Sequence, residues 1–189
     1  MSKEILSIPA DRIKIQERII NTNQIIRRSI WGNLTPKYKK LVLDWNYTAI
    51  GIHHSGNRGL KNPVEIEAFH INEHRWDDVG YHYLIHPDGT IYEGREILYK
   101  GAHIARQNTG KIGILMLGDY DEQWWDYDDN FTKEHLSKLK CLISTLKSLF
   151  PINKLGGHRE FIARDSGCPG NLLMNVMEEL RKEFKLNAP

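Results

Sequence analysis

Apolar residues recur along this chain with two different periods, and the points where the period changes divide it into elements. Residues 10–28 carry Ile13, Ile19, Ile20 and Ile25 among charges, which suits a short helix or an ordered arm. Residues 48–54 (TAIGIHH) form a short apolar, β-compatible run of the kind that becomes a buried strand. Asn62-Pro63 reads as a helix start, with Asn at the N-cap and Pro at the first helical position. That helix is predicted to reach about His74 and to turn Val64, Ala68 and Ile71 to one face. Gly80–His86 and Thr90–Gly94, joined at Pro87-Asp88-Gly89, read as a hairpin. Lys111–Leu117 (KIGILML) is apolar almost throughout, as a central strand covered on both faces must be.

Two helical patterns close the chain. The first spans about 132–149, with Thr132 as N-cap, Phe131 and Leu136 at the staple positions, and an inward stripe of Leu136, Leu139, Ile143, Leu146 and Phe150. The second spans about 171–185 and buries Leu172, Leu173, Val176, Met177 and Leu180, with Glu178 four residues before Lys182. Strands alternating with helices predict an α/β fold: one domain with a mixed central β-sheet flanked by helices.

Composition narrows this picture without changing it. A chain of 189 residues that is 40% hydrophobic and 26% charged can bury a real core. The net charge of +2 gives no footing for a nucleic-acid partner. No segment approaches the roughly 20 apolar residues that span a bilayer. The first residues, MSKEILSIPADRIKIQER, contain neither an apolar h-region nor a small-residue cleavage site, so the chain is expected to remain cytoplasmic as made. The two cysteines, Cys141 and Cys168, then read as free thiols or as a metal ligand rather than a disulfide.

The candidate chemistry lies in histidines. His53 and His54 end the first apolar strand, and because side chains alternate along a strand only one of them can face a given cleft. His158 follows Gly156-Gly157, and Cys168 comes ten residues later, before Pro169-Gly170. Two imidazoles and a thiolate suit zinc and leave a fourth tetrahedral position open, the arrangement of catalytic rather than structural sites. Spacing alone leaves the alternative of loop histidines and a buried thiol. His70, His74, His82, His86 and His135 read as surface or packing residues, and Cys141 as a packing residue of its helix. The acidic run 119–129, interrupted by Trp124 and Trp125, lacks the ligand spacing of a calcium loop and reads as a solvated loop with aromatic anchors.

Five blocks in order carry a family resemblance: IIRRSIWGN, IGIHHSGN, AFHINEHRWDDVGYHYLIHPDGTIYEGR, GAHIARQNTGKIGILMLGDYD, and GGHREF with CPGN. The chain resembles the zinc amidases shared by amidase-type phage lysozymes and peptidoglycan recognition proteins, over nearly everything from about Ile26 to Leu180. The resemblance implies one zinc ion per chain held by His53, His158 and Cys168, with His54 beside the site among the substrate contacts. It implies that Tyr81 stands next to the metal-bound water, and that His103, Gln107 and Asn108 line the substrate groove. Trp76 and Arg95 are read as structural.

Two departures from the family pattern stand out. Ser166 occupies the position where many relatives carry Lys or Thr, so Ser166 is the expected catalytic partner of Tyr81, with Arg164 and Asp165 as alternatives. Leu115 stands where a cytosolic recycling branch carries a glutamate. The implied activity is hydrolysis of the N-acetylmuramoyl–L-alanine amide of peptidoglycan, by a phage endolysin or a delivered antibacterial effector that reaches the wall after lysis or by non-classical export. A non-catalytic peptidoglycan-binding module and a muropeptide-recycling amidase are the alternatives. Residues 1–25 are read as an N-terminal arm or short helix open to a delivery or regulatory partner, residues 26–189 as the amidase domain, and the chain as a monomer.

Overall fold

A computed structural model describes residues 8–56, 60–121, 131–162 and 167–189. Its centre is one five-stranded sheet built from β1 (Ala49–His54), β2 (Tyr83–Ile85), β3 (Ile91–Glu93), β4 (Lys111–Met116) and β5 (Lys154–Gly157). The strand order is β3-β2-β4-β1-β5. β1 lies parallel to both β4 and β5, β2 is parallel to β4, and β3 closes one edge antiparallel to β2. This is the mixed α/β architecture that the sequence pattern predicts. The hairpin turns at Pro87-Asp88-Gly89, where Gly89 has φ +88°, although its paired strands are shorter than the apolar runs.

Side-chain alternation divides the sheet into two faces. Ile50, Ile52, Ile112, Ile114 and Met116 point into the larger core, where α1 (Ala10–Asn23), α4 (Lys133–Leu149) and α6 (Asn171–Phe184) pack on them. Ile19 and Ile20 of α1 are in this core, so the first helix is integral to the domain. α4 begins where expected: Thr132 caps it by accepting from the His135 N–H at 3.0 Å. On the other face Leu115 and Leu117 join Ile66, Val79 and Leu84, beneath α3 (Pro63–Ala68). No helix among the described residues is long and apolar enough to cross a membrane.

α3 shows how a correct start leads to an unexpected end. Asn62 and Glu65 form a reciprocal capping box, with the Glu65 N–H donating to Asn62 at 3.0 Å. The helix then widens into a π-turn over Phe69–Glu73 instead of continuing regularly to His74. Wide turns of this kind occur often at functional sites. Arg75, at φ +59°, turns the chain back so that Trp76 donates its N–H to the His70 carbonyl at 3.0 Å.

A buried ionic cluster fixes the segment between these parts. Arg28, on the short helix α2 (Arg28–Trp31), reaches Glu67 at 2.5 Å and Asp78 at 3.1 Å. Glu67 also accepts from the Asn33 and Leu34 N–H groups. Burial alone pushes the Asp78 carboxyl above its ordinary value, and Arg28 and Arg95 oppose that shift. Breaking such a pair from one side costs about 3–5 kcal/mol, because the remaining charge stays buried.

Candidate metal centre and cleft

The C-terminal ends of the parallel strands define the site. β1 and β5 pair in parallel with Ile52 level with Gly157, so His53 and His158, each one residue further on, leave adjacent strands side by side. Their rings stand 4.7 Å apart, centroid to centroid. The bare strand β5 permits this, since a Cβ at Gly157 would come within 2.6 Å of both Met174 Sδ and Pro169 Cδ. His158 opens the short helix α5 (His158–Phe161), whose Glu160 accepts from the Gly157 N–H at 2.8 Å and ion-pairs with Arg181 of α6.

Cys168 arrives from the turn before α6. Arg159 holds that turn: its backbone N–H donates to the Cys168 carbonyl at 3.1 Å, and its guanidinium reaches the Gly167 carbonyl and, at 3.1 Å, Asn171 Oδ1. Cys168 Sγ is thereby placed 3.6 Å from His53 Nδ1. One ligating atom each from His53, His158 and Cys168 lies within 4.8 Å of the others.

Burial holds the two imidazoles in the form that ligates and the thiol in its protonated form. Burial lowers the pKa of His53 and His158, so each is a neutral imidazole with a lone pair. Burial pushes the Cys168 thiol up to about 12, against the His54 backbone N–H and the Arg159 charge, which both favour the thiolate. His158 Nε2 is buried and has no hydrogen-bond partner among the described residues. An orphaned nitrogen of this kind costs about 1–3 kcal/mol unless something binds it. Two neutral imidazoles, a thiol and an unmet ring nitrogen fit a zinc ion.

Beside these residues opens a cleft of about 320 Å³ lined by His54, Leu60, Phe69, His70, Tyr81, Leu115, His158 and Cys168, among others. Tyr81 packs its ring 5.0 Å from that of His53. One wall is aromatic: His70 and His74 both stack on Trp76, at 4.5 and 5.2 Å. His70 is itself buried, accepts from the Gly80 N–H at 3.2 Å, and is held at a pKa of about 3, chiefly by burial. His70 and His74, expected as surface or packing residues, and Trp76, expected as structural, are all brought to this wall by the π-turn and the reversal at Arg75. A periodicity argument has no signal for that reversal.

The remaining candidates separate. His54 lines the cleft and sits 3.6 Å from Asp119 Oδ1 on the other side of the β1 alternation from His53. His103 does not line the cleft: it lies buried behind His53, where its Nδ1 meets His53 Nε2 at 3.0 Å. Asn108 also turns inward, its Oδ1 accepting from the His103 and Ile104 N–H groups at 2.8 Å each. Gln107 is exposed and lines a separate hollow beside Lys111 and Phe161. The three residues thus have different surroundings: His103 is buried, Gln107 lines that hollow, and Asn108 lines another with Trp76 and Ala102. Ser166, Arg164 and Asp165, with Trp124 and Trp125 of the acidic run, lie outside the described residues.

Two other histidines are fully occupied. His82 Nδ1 accepts from the Gly113 N–H at 2.9 Å while Nε2 donates to the Tyr99 carbonyl at 3.0 Å. His135 Nε2 donates to the Ile85 carbonyl at 2.9 Å, and its Nδ1 meets the Tyr120 hydroxyl at 3.0 Å. A hollow of about 540 Å³ between α1 and residues 27–38 is larger than the cleft, but the charged groups along it already have partners: Arg27 pairs with Glu17, Arg28 with the buried Glu67, and Glu93 and Glu96 accept from Gln16 and the Tyr38 hydroxyl.

Comparison with known proteins bears on this geometry. The sequence profile of the family described as N-acetylmuramoyl-L-alanine amidase matches residues 44–171. The chain is 31% identical over 169 residues to peptidoglycan-recognition protein SC2 of Drosophila simulans, covering 83% of this chain and 84% of that protein. It is 33% identical over 123 residues to the endolysin of Enterobacteria phage T3, covering 64% of this chain and 79% of that protein. Among solved structures, the endolysine N-acetylmuramoyl-L-alanine amidase LysCS from Clostridium intestinale superposes with a TM-score of 0.70 at 27% identity, over 86% of this chain and 96% of that one.

Proposed function

Because this chain belongs to the N-acetylmuramoyl-L-alanine amidase family, we propose that it hydrolyses the amide between the lactyl group of N-acetylmuramic acid and L-alanine in peptidoglycan, with one zinc ion held by His53, His158 and Cys168. The observation that carries the reading is the convergence of those three donors within 4.8 Å around a His158 Nε2 with no other described partner. His53 would offer Nδ1, His158 Nε2 and Cys168 Sγ. Bound there, zinc supplies Lewis-acid activation of the amide carbonyl and of the attacking water.

The chain's own residues account for the rest. Tyr81, in the cleft wall beside His53, is suited to donate its phenolic hydrogen to the oxygen that gains charge at the tetrahedral centre. The apolar patch of Leu60, Ile66, Phe69 and Leu115 suits the methyl groups of the lactyl and alanyl units and keeps bulk water from the bond. His54 and the ring wall of His70, His74 and Trp76 would flank the sugar and the stem peptide. Leu115 leaves no carboxylate at that point of β4, which favours the wall-cleaving branch over a muropeptide-recycling enzyme.

A second reading, a binding module, is motivated by the similarity to a peptidoglycan-recognition protein. The complete donor set favours hydrolysis. Digestion of purified sacculi, with and without a chelator and with zinc added back, decides between them. Release of stem peptides that is lost with chelator and restored by zinc is the expected result. Binding without release supports the module, and release only from soluble fragments supports recycling.

A further inference from the structure

The geometry points to His103 as a positioning residue that fixes the ring and the tautomer of His53, which rests on the reading of His53 as a metal ligand. His103 Nε2 lies 3.3 Å from the Lys111 carbonyl oxygen, and a carbonyl only accepts, so Nε2 carries the hydrogen. In a neutral imidazole the lone pair is then on Nδ1, which stands 3.0 Å from His53 Nε2. His53 must donate there. Its own lone pair is left on Nδ1, the atom 3.6 Å from Cys168 Sγ. One backbone carbonyl thus determines, through two rings, which nitrogen of His53 faces the site.

The surrounding sequence is shaped to this stack. A Cβ at either Gly101 or Gly113 would come 2.5 Å from His103 Cδ2, so both positions must be bare for the ring to lie between them. A Cβ at Gly51 would press on Ile104 Cδ1 at 3.2 Å but would meet the two rings only at the ordinary contact distance of 3.5 Å. Asn108 fixes the approach of the loop through the His103 and Ile104 N–H groups. Two glycines, one on a strand and one in a loop, together with an inward-folded asparagine, make a slot for one imidazole. A substrate contact needs no such slot, and His103 is 7% exposed.

The test starts from the metal-free wild-type protein. Long-range ¹H–¹⁵N correlation of the imidazoles should show His53 and His103 both as Nε2–H tautomers. His103→Ala, checked for folding by circular dichroism, should weaken zinc binding in a chelator-competition titration by about 10- to 100-fold. His103→Asn, whose side-chain oxygen can take the His53 hydrogen, should recover most of that loss. An Nδ1–H tautomer on either ring, or zinc bound by His103→Ala as tightly as by wild type, overturns the assignment. Failure of the wild type to bind zinc would instead remove the ligand reading, while the tautomer spectrum still decides the role of His103.

Discussion

Two pairs of histidines in this molecule have the same chemistry and opposite fates. His82 and His135 are fully buried and have both ring nitrogens engaged by backbone or tyrosine groups. His53 and His158 are aimed at one point, and His158 Nε2 has nothing described to bond. Burial does not distinguish the pairs, because it depresses all four pKa values. What sets the second pair apart is direction, together with one unmet nitrogen. His158 Nε2 lacks a described partner, and a buried nitrogen of that kind marks where a ligand belongs; His53, although both its nitrogens have neighbours, turns Nδ1 toward the same point.

The contrast can be broken by mutation, beginning with the largest effect. Cys168→Ala removes the anionic donor and should abolish metal retention and stem-peptide release together, measured by metal analysis and sacculus digestion. Full activity in that variant would end the reading. Tyr81→Phe keeps the ring beside His53 and removes one hydrogen bond, so turnover should fall about 100- to 1,000-fold with zinc content unchanged. His135→Ala belongs to the scaffold side: it should cost about 2–4 kcal/mol in urea denaturation while zinc affinity stays at the wild-type value. A zinc affinity that falls with it would dissolve the distinction between the pairs.

Acid sharpens the same comparison. His135 is held at a pKa of about 4 and His82 at about 3, both chiefly by burial, against about 6.5 in an unfolded chain. Between those values the unfolded state binds more protons than the native one. Each histidine therefore contributes stability that is present above pH 6.5 and is lost as pH falls toward its folded value, at up to about 1.4 kcal/mol per pH unit. His135→Phe should flatten the acid limb of the stability profile, and an unchanged slope would show that the ring titrates normally. The smallest effect belongs to Lys182→Ala. Its contact with Glu178 is 3.8 Å long and exposed on both sides, so stability should move by less than about 0.5 kcal/mol.

What could be read from the sequence follows the range of the signal. α4 was legible with its cap because Thr132, Phe131 and the apolar stripe act within a few residues. β4 was legible because KIGILML is apolar on both faces. The short strand β5 had no such mark: Lys-Leu-Gly-Gly has neither alternation nor β-branched residues, and only its pairing with β1 makes it a strand. In the site, a strand-end histidine and a Gly-Gly-His before a cysteine were visible as residue types in order. That His103 stands behind His53 was not visible, since the decisive facts are two glycines, at 101 and 113, and a carbonyl at Lys111. The wall of His70, His74 and Trp76 was hidden for a similar reason, as a left-handed Arg75 and a widened helical turn leave no periodic trace.

The register of β5 against β1 also sets the terms on which this chain can change length. With Ile52 paired to Gly157, the two imidazoles are spaced by the width of one strand, so no loop has to be the right size for them to meet. Lengthening the connections elsewhere leaves that spacing intact. Losing a single residue from Lys154–Gly157 would break that register and carry the second imidazole out of line with the first, so this four-residue stretch tolerates little editing.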